Sequence, residues 1–230
     1  NRQAVRIDVL YGVFGIARFY ATYINAILTV GVAFAAVLLY TAPAWVTVIA
    51  WRFLGERLTR TNVFALLLAL AGIALVAEIY RPDMLRLNAV GIAWGLASGL
   101  TYALWSVFNK VGVKHTNPWT LQCYGMLIGS AVLLLFQPLT PLAGVSQSPA
   151  AVAWLLVLAL GPTVGASVAY AAGVRTVPVS VASLVATLEP VLAAVLAYLF
   201  LGETLSIGQV AGGALILLAV CLLRPRNTGS

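Results

Sequence analysis

The sequence predicts an all-α integral membrane protein, and three observations carry that expectation. First, 62% of its 230 residues are hydrophobic and 8% are charged, whereas a soluble domain has about 25% charged residues; the mean hydropathy is +1.02. Second, the apolar stretches run unbroken for about 20 residues without alternating, which is the length and pattern of helices crossing hydrocarbon. Third, the chain repeats one signature at an offset of 147 residues: Pro43 followed by Leu54-Gly55-Glu56, and Pro190 followed by Leu201-Gly202-Glu203. Tyr23/Tyr170, Thr29/Thr176, Val30/Val177, Val32/Val179, Ala35/Ala182, Leu58/Leu205 and Val63/Val210 match at the same offset without a gap. An internally duplicated chain of spanning helices is above all a transporter candidate.

Hydropathy and Pro, Gly and charge punctuation give eight spans, at about 8–26, 30–53, 62–80, 88–110, 118–137, 150–173, 179–201 and 206–223. The third and eighth begin just after the Gly-Glu turns, where Thr59 and Ser206 are placed to cap the incoming helix. The 138–149 break, with Pro138, Pro141, Gly144, Ser146, Ser148 and Pro149, is the longest uncharged interruption. Alternating sides put Arg2, Arg6, Arg52, Arg57, Arg60, Lys110, Lys114, Arg175, Arg224 and Arg226 together, against Arg81 and Arg86 opposite. That imbalance makes the first side, and the C-terminal tail 224–230, cytoplasmic.

Residues 88–223 form a complete unit of five helices, and residues 1–80 hold the last three of the matching unit. Two further helices, on the order of 60 residues at one span each with its loop, are expected ahead of residue 1. Five helices per unit is odd, so consecutive units insert with opposite orientation. The architecture expected is ten helices in two inverted repeats, with a binding site between the halves near the bilayer midplane.

Other classes fit less well. The formal charge of +7 lies at helix ends rather than in a basic patch with interleaved aromatics, so nucleic acid is not an expected partner. Cys123 and Cys221 fall inside apolar helices and read as small hydrophobes. The arginines and apolar run of residues 1–23 lack a small-residue cleavage site leading to a soluble domain, so they are not read as a secretion signal. No Walker A, HExxH or GxSxG motif and no His, Cys and carboxylate cluster is present, so neither an enzyme, a cofactor nor a metal is expected.

Glu189 is the sharpest single feature. It lies mid-span, where a charge costs roughly 2.5–3.5 kcal/mol on insertion scales, so it must face the interior and either pair with a cation or carry a proton. Pro190 removes a backbone donor and is expected to leave the Ala186 carbonyl without its helical partner. The first repeat has Ala42 at the position of Glu189, so the acid is not demanded by the repeated architecture. Arg18 is the second intramembrane charge, on a face with Tyr11, Thr22 and Asn25; it suits an anionic substrate group or Glu189 itself, or snorkels to the interface. Trp94, Ser98, Thr101, Tyr102, Trp105 and Asn109 form a stripe at helical spacing. Thr163, Ser167 and Tyr170 form another, and Ser180, Ser183 and Thr187 a third. Aromatics with hydroxyls and amides suit a small amphipathic ligand, and equally suit helix–helix glue. Glu56 and Glu203 each follow a glycine at a helix end, where an acid suits the positive N-terminus of the next helix or a neighbouring arginine such as Arg57 or Arg60.

Tyr40-Thr41-Ala42-Pro43, Leu54-Gly55-Glu56-Arg57-Leu58-Thr59, Gly99-Leu100-Thr101-Tyr102-Ala103, Leu188-Glu189-Pro190 and Leu201-Gly202-Glu203-Thr204-Leu205-Ser206 resemble the EamA domain pattern of the drug/metabolite transporter superfamily, over nearly the whole chain. The resemblance implies a ten-helix secondary carrier of inverted repeats in the bacterial inner membrane, exporting small metabolites such as amino acids. The reading is a multi-pass secondary transporter working by alternating access, with protons a candidate coupling ion. Glu189, Arg18, Tyr102, Trp105, Asn109, Ser167, Tyr170 and Thr187 are its candidate substrate or ion contacts. Pro43, Pro190, Gly55, Glu56, Gly202 and Glu203 are its structural helix-break residues. The expected partners are a small-molecule substrate and the lipid bilayer. Small-residue patches such as Gly208/Gly212 can join helices within the chain or between two copies in a homodimer. The rival readings are a non-transporting scaffold or receptor and an inactive fragment of a carrier.

Overall fold

The computed structural model describes residues 2–80, 88–136, 148–202 and 204–223. Arg81, Asp83, Arg86, Glu203, the 224–230 tail and all but the end of the 138–149 break lie outside the described residues. Among the described residues every regular element is a helix. Eight occur, one per predicted span: α1 Arg2–Val30, α2 Val32–Phe53, α3 Arg60–Val76, α4 Ala89–Gly112, α5 Pro118–Leu134, α6 Pro149–Gly173, α7 Val179–Leu201 and α8 Ile207–Cys221. Helices α1, α2, α4, α6 and α7 are long and apolar enough to cross a membrane, and α3, α5 and α8 are shorter apolar helices.

The starts follow local chemistry. Thr59 accepts the Asn62 N–H at 3.1 Å, Asn117 the Thr120 N–H at 2.8 Å, and Ser148 the Ala151 N–H at 3.4 Å. Ser206 and Gln209 close a reciprocal capping box. Each cap satisfies a backbone donor that a helix N-terminus leaves open. At the repeated Leu-Gly-Glu ends, Gly55 (φ 71°) and Gly202 (φ 68°) both take the left-handed conformation, which closes a helix at little cost only for glycine.

Two boundaries differ from the hydropathy reading. Helix α1 begins at Arg2 rather than residue 8, because arginines on a terminal turn can reach polar surroundings. Helix α3 stops at Val76 rather than near 80. Glu78 there adopts φ 52°, while the Ile79 N–H turns back to the Ala74 carbonyl at 3.3 Å. The Glu78 carboxylate accepts a short hydrogen bond from the Ser206 hydroxyl ahead of α8.

The chain divides into two compact units, each drawing on both halves of the sequence. One is Asn1–Ala21 with Leu104–Val177; the other is Thr22–Ala103 with Pro178–Ser230. In the first, α1 widens to π-helical geometry over Tyr11–Ala17 and packs on α5 through Gly12, Gly125 and Gly129. A Cβ at Gly129 would lie 2.6 Å from Ile16 Cγ2, and one at Gly125 would overlap the Tyr11 ring. In the second, α3 and α8 meet backbone to backbone at Gly72 and Gly212, and Ala65, Ala69, Leu184 and Ala219 form a core cluster. Gly212 is thus used inside the chain.

A Cβ at Gly72 would sit 2.6 Å from the Gly212 carbonyl oxygen and 2.7 Å from Ile216 Cγ1. Gly72→Ala should therefore lower stability by about 1–3 kcal/mol through overpacking, seen as a lower Tm in detergent. Gly161→Ala, where nothing lies within 4 Å, should change it by under about 0.5 kcal/mol. Equal melting of the two variants would contradict this contact.

Candidate functional site

The helix that carries Glu189 is fixed at its start by another acid. Glu56 Oε1 accepts the Val179 N–H at 2.7 Å; Oε2 accepts the Ser180 N–H at 3.2 Å and, in a short bond, the Ser180 hydroxyl. Pro178 precedes α7 without any side-chain cap of its own, so the carboxylate of a distant helix end meets the open donors and the positive end of the α7 dipole. An acid at a helix N-terminus was expected of Glu56. The helix it caps is α7, while α3, which follows it directly, is capped by Thr59. Glu203 lies outside the described residues.

Along α7 the hydroxyls turn onto their own backbone. Ser183 donates to the Ser180 carbonyl at 2.9 Å and Thr187 to the Leu184 carbonyl at 2.6 Å, so Thr187 is buried and engaged. The Pro190 break also differs from expectation. Residues Ala186–Leu188 tighten to a 3₁₀ turn in which the Glu189 N–H bonds the Ala186 carbonyl. The carbonyl deprived by Pro190 is satisfied by shortening the turn, not left open to a cavity. Before Pro43, α2 turns at Tyr40-Thr41, and the Thr41 N–H and hydroxyl both reach the Leu38 carbonyl, at 3.2 and 2.7 Å.

Glu189 sits midway along α7 with its side chain exposed. Tyr40 of α2 and Tyr23 of α1 lie within electrostatic reach of this carboxylate, and Tyr102 of α4 neighbours Tyr40. One acid among three phenols is the chemically richest cluster of this unit. Tyr40 is the member that sequence reasoning did not single out. Nearby in the chain, the Thr22 and Thr101 hydroxyls pair at 3.1 Å between α1 and α4.

The other unit holds a closed polar ring. The Tyr11 hydroxyl donates to Gln122 Oε1 at 2.6 Å, Gln122 Nε2 to Asn109 Oδ1 at 2.7 Å, and Asn109 Nδ2 back to the Tyr11 oxygen at 3.3 Å and to the Trp105 carbonyl at 2.9 Å. All three side chains are fully buried. Asn109 therefore has its polar atoms committed inside the protein. Trp105 stacks on Tyr170 of α6, with centroids 4.7 Å apart at 38°. Ser167 lies half-buried one turn before Tyr170, and Arg18 is exposed with its guanidinium 5.8 Å from the centre of the Phe14 ring. Gln122, a lone amide in the apolar α5, went unremarked in the sequence although its composition context signalled it. Asp8 is buried with Oδ1 lacking a hydrogen-bond partner. Among the described residues no group of three His, Cys, Asp or Glu side chains could hold a metal.

Five helices of spanning length among the described residues define a multi-pass helical membrane protein. The EamA-like transporter family model matches residues 3–77 and 89–224, and the chain belongs to that family. An uncharacterized transporter of Archaeoglobus fulgidus is 35% identical over 88% of this chain and 70% of its own length. A protein of Streptantibioticus cattleyicolor named as a probable terminal-alkyne amino-acid exporter is 28% identical over 85% of this chain and 65% of its own. A crystal structure of a protein 18% identical in sequence superposes with a TM-score of 0.79, over 93% of this chain and 74% of that one; it shares the fold.

Two outcomes follow from these contacts. Asn109→Leu strands the polar atoms of Tyr11 and Gln122 and should cost about 1–3 kcal/mol. Adding Tyr11→Phe and Gln122→Leu should recover part of that loss in thermal melts; strictly additive losses would contradict the closed ring. Glu56→Ala removes the α7 cap and should cost about 0.5–2 kcal/mol. A Tm equal to wild type would show that the cap does not hold α7.

Proposed function

We propose that the protein is a secondary active transporter of the bacterial inner membrane, exporting small amphipathic metabolites such as amino acids by alternating access. In this reading Glu189 carries a coupling proton or contacts a substrate amine. The observation that carries it is the position of that carboxylate: exposed, at the middle of a 23-residue apolar helix, and close to the Tyr40 phenol. A charge at that depth costs roughly 2.5–3.5 kcal/mol on insertion scales. It is tolerable beside a water-lined path or a ligand, and a role in binding is what makes the cost worth retaining.

Several further features support the reading. At the 147-residue offset a helix restarts one residue before a proline in both halves, at Ala42-Pro43 and at Glu189-Pro190, as in a pair of repeats; we read these repeats as inverted. The name of the Streptantibioticus cattleyicolor relative supports amino-acid-like cargo and the outward direction. Ten basic residues on one side against two opposite support a cytoplasmic C-terminus. Tyr40, Tyr23 and Tyr102 are the proposed companions of Glu189. The Trp105–Tyr170 stack beside Ser167, and separately Arg18, are proposed contacts for apolar and anionic parts of a substrate.

The test is expression of the protein from its own gene, beside Glu189→Gln at matched membrane levels and an empty vector, with untargeted mass spectrometry of the medium. A metabolite released by wild type and lost in the variant is the expected result. Wild-type release and pH dependence in Glu189→Gln would remove the role of Glu189, and no difference between wild type and empty vector would remove export.

A further inference from the structure

Where α4 and α6 end, three cationic residues line one half-open cavity. Lys110, Lys114 and Arg175, with Val113 and Val174, line a space of about 230 Å³. No acidic side chain is among its lining residues. Lys110 is not a loose surface charge: its Nζ donates to the Val174 carbonyl at 2.6 Å and the Val177 carbonyl at 2.8 Å. Arg175 reaches across to the Thr116 carbonyl at 3.2 Å, using one of the five N–H donors of a guanidinium. Val113 and Val174 are buried, giving the cavity an apolar floor.

Cations complement the negative ends of helices, and that accounts for Lys110. The basic side of the membrane accounts for Lys114 and Arg175 being cations; their common lining with Lys110 adds a place where an anion would meet three positive charges at once. Helices α4 and α6 both have the length of a membrane span, so their ends lie at the level of the lipid phosphates, where basic pockets hold anionic groups.

We propose that this cavity binds a phosphate group, through Lys110, Lys114 and Arg175. The group belongs to an anionic phospholipid head or to a free phosphate-bearing molecule. The site is separate from Glu189 and stands whether or not the transport reading holds.

The test uses the full chain purified in detergent. Native mass spectrometry compares retention of added phosphatidylglycerol with phosphatidylcholine, and thermal melts compare inorganic phosphate with chloride at equal ionic strength. Lys114→Gln/Arg175→Gln spares the Lys110 contacts with the carbonyls after α6; Arg57→Gln/Arg60→Gln removes the same charge from exposed positions outside the cavity. Wild type should favour phosphatidylglycerol, and the cavity variant should lose about five-fold of that preference per cation removed, while the control variant keeps it. A rise in Tm with inorganic phosphate that the cavity variant lacks, without any lipid preference, assigns the site to a free phosphate ligand. Identical behaviour of the two variants, or neither effect in wild type, would overturn the proposal.

Discussion

In hydrocarbon a polar group has no water to fall back on, and the rest of this structure depends on that constraint. The chain meets it with a few closed devices. The Tyr11–Gln122–Asn109 ring matches donors with acceptors in a fully buried setting, where low dielectric strengthens each bond and makes any missing partner costly. Gly125 makes room for the Tyr11 ring, so a small residue on α5 is the condition for a polar contact on α1. Lys110 and Glu56 do comparable work at helix ends, the first on carbonyls after α6 and the second on amides opening α7.

Against that background Glu189 stands out by chemistry and not by position alone. The hydroxyl side chains ahead of it in α7, Ser180, Ser183 and Thr187, are tied to Glu56 or to their own backbone. Even the carbonyl that Pro190 would strand is recovered by a 3₁₀ turn. What remains exposed at mid-helix is a carboxylate with tyrosines near it. Helix α7 is held at its start by a charged cap and packed through Leu184, so Glu189 is carried on a firmly held helix.

The helices were legible because hydropathy and capping agree. Thr59 and Ser206 cap as their spacing predicts, and Gly55 and Gly202 close helices as the repeated motif requires. The end of α3 was not legible, because Glu78 takes a conformation usually reserved for glycine. The candidate site was only partly so. Periodicity placed Asn109 on one stripe with Tyr102 and Trp105, but whether an amide faces a ligand or a partner depends on side chains far along the chain. Here Tyr11 and Gln122 occupy it. Tyr40 was hidden for a related reason: its neighbour Glu189 lies in the other repeat, and its own counterpart at the 147-residue offset, Thr187, is spent on the Leu184 carbonyl.

The central claim is that Glu189 is reached by water-borne solutes in the middle of the membrane whereas Asn109 is sealed. It is tested most directly by cysteine accessibility in a background in which Cys123 and Cys221 are replaced by alanine. Glu189→Cys and Asn109→Cys are each exposed to a charged, water-soluble methanethiosulfonate reagent in intact membranes. The account predicts rapid labelling at position 189 and none at position 109 until the protein is denatured. Protection of position 189 in folded membranes would contradict it.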